Sequence, residues 1–254
     1  MSSREAALGT VLGGLLIPLV SCSSGPEELT PAEWLDQNTV VLQKLESYDP
    51  RERHEAISRF KKLGKERGTQ VALLLLHDRK LENYRIEVVL ARILADWRDP
   101  RAIAFLIDAL KESDRGAVEI AKEGLAVFRN DADVIRTLEE MAEAPGITLR
   151  RNAAEVLSRM GDERTTEYFM RRYPAETDTE VRLLFLMSVV ESRHPRRRSF
   201  LVDVLTDADL GLRRYAWDVL KREPGIPAEA RFDPSDLPAD RARQIARLRL
   251  SLEK

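Results

Sequence analysis

Internal repetition constrains this chain more than any other feature, because a period near 32 residues commits a sequence to stacked supersecondary units. With Arg53, Glu87, Val118, Arg150, Arg182 and Arg213 set as position zero, the spacings are 34, 31, 32, 32 and 31 residues. Three positions on stand Ala56, Leu90, Ala121, Ala153, Phe185 and Ala216, and seven on stand Phe60, Leu94, Leu125, Leu157, Val189 and Leu220. All twelve are apolar, whereas a chain with 43% apolar residues fills about five of twelve at random. Four on are Ile57, Ala91, Lys122, Ala154, Leu186 and Trp217, with Lys122 the interruption. Offsets of this kind share one face of a helix. A turn signal follows each stripe: Gly64, Asp99-Pro100, Asn130-Asp131, Gly161-Asp162 and His194-Pro195. Asp or Asn at a cap and Pro in a first turn start a second helix. Its stripe runs through Val71, Phe105, Tyr168 and Phe200, then Leu76, Leu110, Met141, Tyr173 and Leu205, with Arg136 out of pattern. The unit is helix–turn–helix, in five copies plus a sixth first helix, and the chain is expected to be all-α.

Two stretches, Leu149-Arg150-Arg151-Asn152-Ala153-Ala154-Glu155-Val156-Leu157 with Gly161-Asp162, and the run from Asp99-Pro100-Arg101 to Leu110, resemble HEAT repeats. The resemblance covers about residues 50–222. It implies a right-handed α-α superhelix of helical hairpins whose second helices line a concave face where partners bind. Tetratricopeptide repeats are the rival, but their small-residue signature is absent and the spacing here averages nearer 32. In HEAT-like stacks an arginine near position zero pairs with an acid at a turn. Arg150, Arg151, Arg182, Arg213 and Arg214 are therefore expected to be structural, with Asp162 and Asp178 available to them.

A stack must be sealed at its ends. Thr30-Pro31-Ala32-Glu33 reads as a capping box with Pro in the first turn. It opens one helix to about Glu46 with Trp34, Val41 and Leu45 on its apolar stripe. Residues 30–48 are read as an N-terminal cap, 49–223 as repeats, and 224–254 as a proline-broken loop and a capping helix over Arg241–Leu252. On that last helix Ile245, Leu248 and Leu252 share a face.

Residues 6–20 carry no charge. They are too few to span a bilayer as a helix, which takes about 20 residues, but match the apolar core of a signal peptide. The run ends Leu19-Val20-Ser21-Cys22, which resembles the lipobox of bacterial lipoproteins. The departure is a weak N-terminal region, with Arg4 beside Glu5. The resemblance implies a signal peptide over 1–21, acylation of Cys22 as the first mature residue, and a tether over 22–29. Ser23, where inner-membrane retention uses Asp, favours an outer-membrane anchor facing the periplasm. Cys22 is the chain's one cysteine, which excludes an internal disulfide framework and a cysteine-based zinc site.

The 41 Lys+Arg and 43 Asp+Glu nearly cancel, which argues against nucleic acid as partner. No phosphate-binding glycine loop, nucleophile elbow or His pair at ligand spacing occurs. His54, His77 and His194 are expected to be solvated. No metal, cofactor or catalytic residue is expected. One cluster stands out: Arg171 and Arg172 end the second helix of unit four, and Arg193, Arg196, Arg197 and Arg198 precede or open that of unit five. Cations oppose the dipole at a helix N-terminus. The cluster reads as a site for an anion or acidic peptide, since Arg contacts carboxylates in forked pairs. The competing reading pairs these arginines with Glu167, Glu191 and Asp203. The expected function is a lipid-anchored scaffold that binds a protein or peptide on its concave face. The alternatives are a HEAT-like enzyme, such as a bilin lyase or DNA glycosylase, and a self-assembling envelope component.

Overall fold

The computed structural model describes residues 29–78, 84–224, 226 and 230–252, so the expected signal peptide, Cys22 and most of the tether lie outside the described residues. Two short helices, α1 (Pro31–Gln37) and α2 (Thr39–Glu46), come first. Five hairpins follow: α3 (Pro50–Lys61) with α4 (Lys65–Asp78), α5 (Tyr84–Asp96) with α6 (Ala102–Ala109), α7 (Arg115–Ala126) with α8 (Ala132–Met141), α9 (Ile147–Met160) with α10 (Glu163–Arg172), and α11 (Thr179–Glu191) with α12 (Arg197–Val204). Then come α13 (Leu210–Leu220) and α14 (Pro238–Leu252). Among the described residues there is no strand. The fold is an all-α solenoid of stacked helical hairpins. First helices α5, α7, α9, α11 and α13 stack in order, and α6, α8, α10 and α12 each pack onto the first helix of the next unit.

The repeat pattern becomes the core. All twelve residues at offsets three and seven are 0% exposed. In the second layer Val71, Leu110, Met141, Tyr168, Tyr173, Phe200 and Leu205 are buried. The first helices start where they do because Asp49, Asp114, Asp178 and Asp209, each four residues before position zero, cap α3, α7, α11 and α13 by accepting backbone N–H groups. Such a cap contributes about 1 kcal/mol. Gly161, at φ +61°, ends α9 and hands the chain to Asp162, which caps α10. An L side chain is strained at that φ, so glycine is suited to the turn.

Repeat three departs in sequence but not in packing. Lys122 occupies a core position and extends to Glu155 on α9, with Glu119 at 3.7 Å. Arg136 turns outward to Asp133 at 2.7 Å.

The N-terminal cap differs from the single helix expected. The Thr30–Glu33 capping box forms, but the helix breaks at Asn38, whose Nδ2 donates to the Trp34 carbonyl at 2.8 Å. Asn side chains compete for backbone groups in this way. The break lets α1 pack on α4 while α2 lies against α3 and α5. Trp34 meets Phe60 edge to face at 5.6 Å.

Gly124 marks a close approach. A Cβ there would stand 2.8 Å from Leu106 Cδ1, and Leu106 is fully buried. Gly124→Ala is expected to destabilise by about 1–3 kcal/mol despite alanine's higher helix propensity. Chemical denaturation measures this, and a neutral or stabilised variant contradicts the packing.

Candidate functional site

The position-zero arginines act within the scaffold. Arg150 forks onto Glu176 with two contacts of 3.0 Å, and its Nη1 donates to the carbonyls of Ala144 at 3.1 Å and Pro145 at 2.9 Å. Arg182 donates to both Asp207 oxygens at 2.7 and 2.8 Å. Arg213 donates to the Asp207 and Ala208 carbonyls at 2.7 and 2.8 Å, and Arg53 to that of Ser47 at 2.9 Å. The acids they meet are Glu176 and Asp207, not Asp162 and Asp178. Those two carboxylates are engaged as N-caps of α10 and α11. Asp207 also accepts the Tyr173 hydroxyl at 2.8 Å. Burial first, and then that hydrogen bond, push the Tyr173 hydroxyl well above the usual phenol range, so it stays a donor.

The arginine cluster divides. Arg171 is exposed, with its guanidinium 5.6 Å from the Tyr168 ring centre. Arg172 Nε lies 3.8 Å from Glu143 Oε1. The contacts of this pair run to its own helix and to the end of α8. Arg197 donates to the carbonyls of Val190 at 2.8 Å and Ser192 at 3.3 Å and pairs with Glu223. It is a structural tie from α12 back to the end of α11 and on to the end of α13. This resolves its position: an arginine that looks misplaced at the start of α12 serves the C-terminal end of α11, where the dipole and free carbonyls favour a cation.

Arg193, Arg196 and Arg198 have no hydrogen-bonded or ionic side-chain partner among the described residues. With Arg197, His194 and Ser199 they line a shallow depression of about 590 Å³. Of the three carboxylates expected as their partners, Glu167 lies 3.6 Å from His194 Nε2, Asp203 binds Arg249 at 2.7 Å, and Glu191 forms no ion pair among the described residues. Some other surface arginines are matched across helices, as in Arg151–Glu180, Arg159–Glu119 and Arg164–Glu139. Arg115 and Arg129 also pair with no carboxylate among the described residues, so what sets Arg193, Arg196 and Arg198 apart is their gathering around one depression.

His194 corrects the expectation of a solvated residue. It is buried, and its Nδ1 accepts the Arg196 backbone N–H at 3.2 Å. Nε2 faces Glu167 and, at 3.9 Å, Glu163. An acceptor at Nδ1 leaves Nε2 to carry the proton in the neutral ring. His194 thereby fixes the turn that presents Arg196. The sequence signal was its place directly before Pro195, inside a turn rather than on a helix face.

Among the described residues no group of three His, Cys, Asp or Glu side chains is placed to hold a metal ion. No helix among them is long and apolar enough to cross a membrane.

No protein-family model matches the chain, and no curated protein matches it. Solved structures do. A designed armadillo repeat protein in complex with the peptide (KR)4 is 12% identical over 72% of this chain and 97% of that one, with a TM-score of 0.40. The CpcE–CpcF complex of phycocyanin lyase from Nostoc is 22% identical over 78% of each chain, with a TM-score of 0.35. A computationally designed armadillo repeat protein for modular peptide recognition is 12% identical over 72% of this chain and 98% of that one, also at 0.35.

Proposed function

We propose that this chain is a lipid-anchored, extracytoplasmic scaffold that binds an acidic segment of a protein partner at the arginine edge of α12. The observation that carries the reading is the set of three guanidinium groups, Arg193, Arg196 and Arg198, gathered within six residues around one depression whose lining carboxylate, Glu223, is taken up by Arg197. Arg is the side chain suited to forked contacts with carboxylates. The role proposed for this edge is binding.

Cys22 and the apolar run before it support the address. Acylation there would tether a folded, water-facing solenoid to a bilayer. The intact mass of the mature protein is expected to begin at an acylated Cys22, and Cys22→Ser to move the protein out of the membrane fraction. A mature chain that keeps Met1 and fractionates as soluble overturns the address. The edge has its own test. Arg196→Glu with Arg198→Glu is expected to abolish capture of the partner from detergent-solubilised envelopes. Folding stability should stay within about 0.5 kcal/mol of wild type, since both residues lie outside the core. Unchanged capture overturns the binding reading.

A further inference from the structure

A second concavity, of about 410 Å³, is lined by residues of α10 and α12 and of the turns that follow them. Met170 and Tyr173, at the end of α10 and just after it, line one part, and Phe200 and Val204 of α12 line another. Each arginine group is thus adjacent in sequence to one side of the pocket. Tyr173 and Phe200 meet edge to face at 5.2 Å. The charged residues lining it are already paired, though Arg182 Nε is buried without a hydrogen-bond partner among the described residues. Arg182 and Tyr173 both engage Asp207, and Asp203 binds Arg249. Beside these groups, Met170, Pro174, Phe200 and Val204 give the pocket an apolar part.

Helix geometry relates this pocket to the arginine edge. Arg196, Phe200 and Asp203 stand at i, i+4 and i+7, one face of α12, and the last two line the pocket. At a rise of 1.5 Å per residue, Arg196 precedes Phe200 by about 6 Å and Val204 by about 12 Å along the axis. An extended peptide covers that distance in about two to four residues.

We infer that the bound segment is an extended peptide whose acidic residues sit at Arg193 and Arg196 and whose aliphatic or aromatic side chain, about two to four residues away, fills the pocket lined by Met170, Phe200 and Val204. The inference rests on the proposed arginine-edge function and adds the anchor to it. Charge complementarity fixes one end, and burial of one apolar side chain supplies the affinity at the other.

The test is selection of displayed random peptides on the full-length protein in detergent micelles, with Ala208→Trp and the Arg196→Glu/Arg198→Glu double variant in parallel. Ala208 is exposed at the pocket, and its carbonyl contact to Arg213 is made by the backbone, so the Trp side chain occludes the pocket without altering the core. Wild type is expected to enrich acidic residues followed or preceded at the stated spacing by Leu, Ile, Phe or Trp. A selected peptide should lose about tenfold or more in affinity when its apolar residue becomes Ser. Ala208→Trp should erase the apolar preference and keep the acidic one, and the double variant should erase the acidic one. Acidic enrichment with no apolar partner at that spacing, or an apolar preference that survives Ala208→Trp, overturns the anchor and leaves the arginine edge standing. Absence of acidic enrichment in wild type overturns both.

Discussion

Arg150→Ala is expected to remove about 3–5 kcal/mol of stability, the loss typical when one member of a buried ion pair is deleted. The Arg150 side chain is 14% exposed and that of Glu176 is 2% exposed. Alanine strands the Glu176 carboxylate and also releases the Ala144 and Pro145 carbonyls. Glu176 does retain two backbone donors, from Thr177 and Asp178, so a result toward the lower end of the range is in keeping with its surroundings. In a stack where each unit touches only its neighbours, the loss should be local. Hydrogen exchange is expected to rise first across α9, the short 3-10 turn Tyr173–Ala175 and α11. The neighbouring Arg151, whose pair with Glu180 is far more exposed, supplies the contrast: Arg151→Ala should cost about 0–1 kcal/mol. Equal effects of the two changes, read as shifts in denaturation midpoint, contradict the structural role given to position zero.

Phe185→Ala is expected to cost about 3–5 kcal/mol, through lost burial and the cavity left behind. Phe185 is fully buried at the offset-three position of repeat five and stacks on Phe169 of α10 with ring centres 4.8 Å apart. Leu183 lies two residues earlier on the same helix and is 36% exposed. Leu183→Ala should therefore cost less than about 1 kcal/mol. The comparison tests the repeat register directly, because a frame shifted by two residues exchanges the two outcomes.

The legible part of the fold was the part written in periodicity. Offsets of three and seven select residues that face inward in every unit, and Phe60, Leu125 and Val189 could be assigned without coordinates because only their spacing mattered. The caps at Asp49, Asp114, Asp178 and Asp209 follow a second signal, an aspartate four residues before zero in four of the six units, which hydrophobic periodicity alone passes over. Asn38 was not legible as a break. Whether an Asn continues a helix or bonds to a carbonyl four residues back depends on what the next helix packs against, here α3 and α5.

The site was legible as composition and not as geometry. Six arginines could be counted, but their division could not. Arg197 is taken up by the carbonyls of Val190 and Ser192 and by Glu223, a residue 26 positions away. Arg196 is left out because its neighbour's ring, His194 Nδ1, holds its backbone at the turn. Glu176 and Asp207 likewise lie 26 and 25 residues beyond the arginines they bind, close to one repeat period but on loops where spacing varies. The pocket lined by Tyr173 and Phe200 joins residues from two units, and a stripe pattern assigns both simply to the core.

The most direct measurement of the central claim is photo-crosslinking in living cells from a probe placed at Ser199, which is exposed in the arginine-lined depression. The wild-type background is compared with Arg196→Glu/Arg198→Glu. The account predicts crosslinks to an extracytoplasmic protein through an acidic segment, lost in the doubly reversed background while the protein remains folded and membrane-bound. The same crosslinked products in both backgrounds, or products that are cytoplasmic proteins, would contradict it.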